Sequence, residues 1–142
     1  ANSWVNAASV LGFDLRLACP DGHSIGPDII ANAGAGTMAN IVFTNDPKEA
    51  VKNADVVYTD VWASMGEEDE LEGRLAAFKG FQVNQELLSH AKPNVLVLHC
   101  LPAHRGEEIS EQVLEAKGAA FWDQAENKRH MHKAILENLI LG

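Results

Sequence analysis

Short β-branched and aromatic runs alternate along the chain with helical stretches, and that alternation predicts an α/β fold. The fold expected is a doubly wound, mostly parallel sheet with helices on both faces. Three observations carry the reading. Residues 14–19, Ile41-Val42-Phe43-Thr44 and Val56-Val57-Tyr58-Thr59 have strand character. Val95-Leu96-Val97-Leu98 is continuously apolar, the pattern of a strand buried on both faces. Each run is separated from the next by a segment with helix-starting or helix-stopping residues.

In order, the chain opens on an apolar helical pattern, Trp4, Val5, Ala8, Val10 and Leu11. The first strand follows and is stopped by Pro20-Asp21-Gly22. Pro27 begins a helical stretch through Ile29, Ile30 and Ala33 that ends at Gly34 and Gly36. After the second strand, Asp46-Pro47 starts a short helix, an acidic cap followed by proline in the first helical position. The third strand precedes a loop. Residues 82–91 are expected to be helical, the fourth strand comes next, and Phe121-Trp122 is expected to be a weak fifth strand. A final helix begins near Ala125. It runs through Ala134, Ile135, Leu136, Leu139, Ile140 and Leu141 with no remaining element to cover it. Both apolar ends are therefore expected to pack on a neighbouring domain outside these 142 residues. The arrangement is Rossmann-like, and the whole span 1–142 is read as a single domain.

Composition narrows the partners. Twenty acidic residues against 11 basic ones leave a formal charge of −9, which disfavours nucleic acid or an anionic membrane. A cationic or zwitterionic ligand fits better. No long uncharged apolar run suggests a membrane span or a leader. Two cysteines, Cys19 and Cys100, do not make a disulfide scaffold, so a reducing, cytoplasmic setting is expected.

Ligands of open α/β sheets bind beyond the carboxyl ends of the strands, which points to three segments. Asp60-Val61-Trp62-Ala63-Ser64-Met65-Gly66 offers a carboxylate, a hydroxyl and main-chain donors for a charged head group, although a strand-end Asp or Ser also serves as a helix cap. The acidic run Glu67-Glu68-Asp69-Glu70 with Glu72 reads as a solvated face that also attracts cations. His99-Cys100-Leu101-Pro102-Ala103-His104-Arg105-Gly106 places a thiol at a strand end beside His99, His104 and Arg105, cations that would lower a thiol pKa. Asp123-Gln124-Ala125-Glu126-Asn127-Lys128-Arg129-His130-Met131-His132-Lys133 is read as a helix start whose free N–H groups, with Lys128 or Arg129, suit an anionic oxygen, although a basic surface on an exposed helix gives the same pattern.

Two weaker signals are set aside. Gly34-Ala35-Gly36 precedes a strand, whereas a dinucleotide fingerprint follows one; no cofactor is expected. His130 and His132 stand two apart on a helix and diverge, so no metal site is expected.

Taken together, Asp60-Val61-Trp62 with Ser64-Met65-Gly66, His99-Cys100-Leu101-Pro102 and Ala125-Glu126-Asn127 resemble the ornithine carbamoyltransferase family, in order and spacing, over essentially the whole chain. The resemblance is to the second, ornithine-binding domain. The first, which binds carbamoyl phosphate, would then lie outside these residues, as would one further ornithine-binding Asn. Ser-Met-Gly with His-Cys-Leu-Pro favours ornithine over the aspartate, N-acetylornithine and putrescine relatives.

The resemblance implies that Asp60, Ser64 and Met65 bind ornithine. It also implies that Cys100 and Leu101 adjoin the reacting amine and the carbamoyl group, that Leu101-Pro102 is a cis peptide, and that subunits assemble as trimers or multiples of trimers. Asp60 and Cys100 would be the catalytic pair. One departure stands out: where the family has Arg after Ala-Glu-Asn to contact carbamoyl phosphate, this chain has Lys128, which keeps the charge but loses the planar fork. Lys128 is the expected substitute, with Arg129 the alternative. Two other functions remain open from the residues alone. One is a cysteine-dependent acyl hydrolase using Cys100 with His99 or His104; the other is a non-catalytic module that binds a small ligand.

Overall fold

Two parallel strand pairs frame the chain in a computed structural model that describes residues 1–26, 28–29, 39–63, 71–116 and 120–142. Strand β1 (Leu15–Ala18) pairs with β2 (Ile41–Thr44), and β3 (Val56–Thr59) pairs with β4 (Leu96–His99). The helices are α1 (Asn2–Leu11), α2 (Pro47–Val51), α3 (Leu71–Ala77), α4 (Gln85–Leu88), α5 (Glu111–Leu114) and α6 (Phe121–Leu141). The strands, their direction and the intervening helices agree with the expected α/β class. Among the described residues the hydrogen bonding forms two pairs and not one four-stranded ladder; periodicity specifies strand direction but not strand order.

Local chemistry explains most boundaries. Helix α1 stops at Gly12, whose φ of 77° is a left-handed cap that glycine adopts without a side-chain penalty. Helix α2 starts as expected: the Asp46 side chain accepts the Lys48 N–H at 2.8 Å and Pro47 takes the first turn. At its other end the Arg16 guanidinium of β1 donates to the carbonyls of Glu49, Ala50 and Lys52 at 3.3, 3.0 and 2.6 Å. That cation satisfies the carbonyls a helix leaves open at its C-terminus. Residues 28–29 are helical, whereas Pro27, Ile30, Ala33, Gly34 and Gly36 lie outside the described residues.

Three expectations require correction. The helix foreseen over residues 82–91 is confined to Gln85–Leu88. Val83 is committed elsewhere, because its N–H donates to the Glu108 carbonyl at 2.8 Å and its carbonyl accepts the Ser110 N–H at 3.0 Å. Asn84 then caps the helix through its side chain, which accepts the Leu87 N–H at 2.9 Å.

Phe121-Trp122 is not a strand. It forms the first turn of α6, which therefore begins four residues before Ala125. Phe121 is buried in the core while Trp122 is exposed, and aromatic β-propensity yields to that packing. Finally, β4 is not buried along its length. Leu96 and its register partner Val56 are 44% and 46% exposed, and burial deepens only toward His99 at the carboxyl end.

The main core lies on one face of the β3–β4 pair. Val51, Val57, Val83, Leu87, Ile109, Val113, Leu114 and Phe121 pack together, with Val97 and Leu101 at its margin. On the opposite side α1 presents Trp4, whose ring meets Tyr58 edge-on with centroids 4.9 Å apart. Helix α6 contributes Phe121 to the core; beyond it Met131, Ile135, Leu136, Leu139, Ile140 and Leu141 are exposed.

Candidate functional site

The β3–β4 register brings two chemically active side chains together. The ladder ends at Thr59 opposite His99, so Asp60 and Cys100 stand one residue past the last pair, at the carboxyl ends of adjacent parallel strands. Side chains alternate between faces along a strand. Tyr58, Asp60, Leu98 and Cys100 therefore share one face, and Val57, Thr59, Val97 and His99 the other. The Cys100 thiol donates to Oδ1 of Asp60 at 2.8 Å. The same oxygen accepts the Val61 N–H at 2.8 Å, which fixes the carboxylate against its own backbone. Among the described residues no hydrogen bond reaches Oδ2, and Asp60 is exposed.

Aromatic packing holds the loop that carries Asp60. Trp62 stacks on Phe78 just after α3, centroids 5.8 Å apart and planes 24° apart, and its carbonyl accepts from Arg74 at 3.2 Å. Ser64, Met65, Gly66 and the acidic residues 67–70 lie outside the described residues. Glu72 is exposed.

Cys100 does not meet the cations that sequence proximity suggested. His99 faces the core, where its Nε2 lies 2.8 Å from Glu108 Oε1 and both side chains are fully buried. His104 is paired with Glu107 at 3.4 Å and Arg105 with Glu115. The thiol pKa is accordingly raised, not lowered. Burial is the largest cause, the hydrogen bond to Asp60 adds to it, and a hydrogen bond with Tyr58 acts the other way. Cys100 is therefore a neutral thiol near pH 7. Tyr58 is raised as well, first by burial and then by its contact with Cys100, with Gln124 opposing.

The third segment is placed differently from the expectation. Because α6 starts at Phe121 and the Gln124 N–H already donates to the Ala120 carbonyl at 2.8 Å, residues 125–128 offer no free helix-start amides. Gln124 itself reaches the site, its Oε1 accepting the His99 N–H at 3.1 Å. Lys128 is exposed and has no ion-pair partner among the described residues, whereas Arg129 pairs with Glu126 at 3.2 Å. Leu101 adopts a φ of 52° and its bond to Pro102 is cis, as expected. Tyr58 and Gln124 are the site residues that sequence reasoning missed. The period-two spacing from Asp60 marks Tyr58, whereas the misplaced helix start concealed Gln124.

As to a metal, His104, Glu107 and Glu108 bring one ligand atom each within 4.8 Å of one another. Glu108 Oε1 there is already engaged by His99 and by the His104 N–H.

Residues 1–139 match the model of the aspartate/ornithine carbamoyltransferase Asp/Orn binding domain. The chain belongs to that family. Among curated members, the ornithine carbamoyltransferase of Geobacter metallireducens is 52% identical over 140 residues, which span 99% of this chain and 46% of that protein. Solved structures of the family share the fold. Anabolic ornithine carbamoyltransferase from Campylobacter jejuni superposes with a TM-score of 0.91 at 39% identity, covering 95% of this chain and 46% of the other. The Pyrococcus furiosus enzyme gives 0.87 at 45% identity, covering 96% and 45%. The chain thus spans about half the length of the family members it matches, and the matching family model is that of the Asp/Orn binding domain.

Proposed function

We propose that this chain supplies the ornithine half-site of an ornithine carbamoyltransferase, which transfers a carbamoyl group from carbamoyl phosphate to the side-chain amine of L-ornithine. The products are citrulline and phosphate. The observation that carries the reading is the 2.8 Å contact between the Cys100 thiol and the Asp60 carboxylate at the strand ends.

Only a neutral amine attacks the carbamoyl carbon. Ornithine's side-chain amine has a pKa of about 10.4, so freeing it at pH 7 costs about 4.6 kcal/mol. Asp60, an ordinary carboxylate of pKa about 3.9, is too weak a base to remove that cost alone. Its open Oδ2 instead accepts from a substrate ammonium and orients it. The neutral Cys100 directs its S–H at Asp60 and leaves sulfur lone pairs facing the same amine. The ammonium first releases one proton to solvent. The neutral amine nitrogen then bonds to the carbamoyl carbon as the C–O bond to phosphate breaks, and a second nitrogen proton leaves with phosphate. Carbamoyl phosphate is already activated, so no covalent bond to Cys100 is needed. Alignment of the two substrates supplies several kcal/mol.

Ser64 and Met65 complete the ornithine contacts, while Leu101 and Lys128 face carbamoyl phosphate beside Cys100. The phosphate itself is held by a preceding domain, and subunits associate as trimers or multiples of trimers. No cofactor or metal takes part. Among the described residues no helix is long and apolar enough to cross a membrane. A cytoplasmic setting is part of the proposal, in keeping with two cysteines that are not bonded to each other. A hydrolase that uses His99 as base is disfavoured, because both ring nitrogens are occupied away from the thiol.

The test is a citrulline assay on the full-length polypeptide with carbamoyl phosphate and competing amines. Turnover with L-ornithine but not with L-aspartate, N-acetyl-L-ornithine or putrescine is expected. Preference for any of the other three would overturn the assignment.

A further inference from the structure

The loop that carries Cys100 and Leu101 is anchored by a buried polar pair that the reaction chemistry leaves unused. His99 and Glu108 are both fully buried, with Nε2 and Oε1 2.8 Å apart. The other imidazole nitrogen, Nδ1, accepts the Leu101 N–H at 2.8 Å. A ring nitrogen that accepts carries no proton, so the ring is the Nε2–H tautomer and donates to Glu108. The same Glu108 oxygen accepts the His104 N–H at 2.8 Å. One carboxylate thus fixes the loop at residue 104 directly and at residue 101 through the imidazole.

The residue held in this way needs holding. Leu101 has a φ of 52°, a region that a branched L residue occupies rarely and only when its surroundings impose it. The main-chain position of Leu101 determines how the preceding residue, Cys100, leaves β4. Strand alternation sends the His99 ring to the opposite face from the thiol, so the ring does not reach Cys100 as a base.

We propose that His99 and Glu108 are positioning residues: the pair grips the Leu101 N–H and thereby aims the Cys100 thiol at Asp60. The inference rests on the reading of Cys100 as substrate-facing. It adds a dependence of that site on a carboxylate eight residues further along the chain, on the far face of the strand pair.

Amide side chains separate the two ring nitrogens. The oxygen of Asn falls near the place of Nδ1, and the amide of Gln reaches toward that of Nε2. With Cys19→Ser as the background, Cys100 is the only thiol, and its alkylation by iodoacetamide reports thiol orientation without any substrate.

His99→Asn keeps an acceptor for the Leu101 N–H and is expected to stay within about twofold of the parent rate. His99→Gln releases that N–H, loosens the thiol from Asp60 and speeds alkylation about fivefold, a change equivalent to one ordinary hydrogen bond. Glu108→Gln retains an acceptor oxygen and is expected to stay within about twofold of the parent. Glu108→Ala leaves both the imidazole and the His104 N–H unheld and is expected to speed alkylation as His99→Gln does; an unchanged rate in Glu108→Ala overturns the role of Glu108. Similar melting temperatures for His99→Asn and His99→Gln with unequal alkylation support positioning. Equal alkylation rates in the two overturn it.

Should His99→Gln fail to fold, hydrogen exchange of the Leu101 amide in the parent chain decides the matter. Protection is expected, and exchange at the rate of an open loop amide overturns the proposal. None of these readouts involves ornithine, so they fail or succeed independently of the assigned reaction.

Discussion

Oδ1 of Asp60 receives the thiol hydrogen of Cys100 across 2.8 Å from the neighbouring strand, one residue beyond the last ladder pair of β3 and β4. The strand register sets this relationship, and the Val61 N–H on the same oxygen reinforces it. The contact has two chemical consequences. Together with burial, the larger cause, it raises the thiol pKa, and among the described residues it leaves the second carboxylate oxygen without a hydrogen bond.

The first prediction concerns substrate discrimination. In the full-length enzyme, Cys100→Ser should lower kcat/KM for ornithine by about tenfold or more, in keeping with about 1.5–3 kcal/mol for a hydrogen bond to a charged group. The KM for carbamoyl phosphate should change little. Steady-state kinetics with each substrate varied in turn checks both parts.

The second concerns pH. In the Cys19→Ser background, the midpoint of Cys100 alkylation should lie above that of an ordinary thiol, about 8.5, because burial and the Asp60 hydrogen bond both raise it. Asp60→Asn should move the midpoint down. The sign for stability follows from the raised native value. The native thiol keeps a proton that the unfolded chain has lost, so this contribution is intact below about pH 8.5. It declines as pH rises through the native pKa. Urea unfolding at a series of alkaline pH values measures the decline.

The third separates the two candidate cations of α6. Arg129 is already paired with Glu126 at 3.2 Å, and Lys128 has no ion pair among the described residues. Lys128→Ala should weaken carbamoyl phosphate binding by about tenfold or more, the range for a charge-assisted contact. Arg129→Ala should leave it within about twofold, as expected for loss of an exposed ion pair. Kinetics with carbamoyl phosphate as the varied substrate distinguishes them.

The fourth concerns the attachment of α6. Phe121 is 1% exposed and Trp122 is 60% exposed. Phe121→Ala should cost about 3–5 kcal/mol of unfolding free energy. Trp122→Ala should cost within about 0.5 kcal/mol. Chemical denaturation reads both.

Most of what places the site was legible along the chain. Val56–Thr59 and the apolar run ending at Leu98 marked the two strands, and the rule for open α/β sheets selected the loops after them. What stayed hidden depended on contacts between distant segments. The bridge between Val83 and Ile109 shortened a helix whose local pattern extended further. Burial of Phe121 converted an apparent strand into a helix start, which shifted the free amides away from Lys128. Sequence proximity of His99 and Cys100 suggested a lowered thiol pKa, but strand alternation separated the two side chains onto opposite faces. Glu108 gave no signal at all, because its importance comes from the two groups that fold back onto it.

The most direct test of the shared role of Asp60 and Cys100 is a double-mutant cycle on kcat/KM for ornithine in the full-length enzyme, using Asp60→Ala, Cys100→Ala and the pair. If both groups act on one amine through their mutual contact, the double variant loses clearly less than the sum of the two single losses, by about 0.5 kcal/mol or more. Strict additivity would contradict the account, because it would mean that the two side chains act independently.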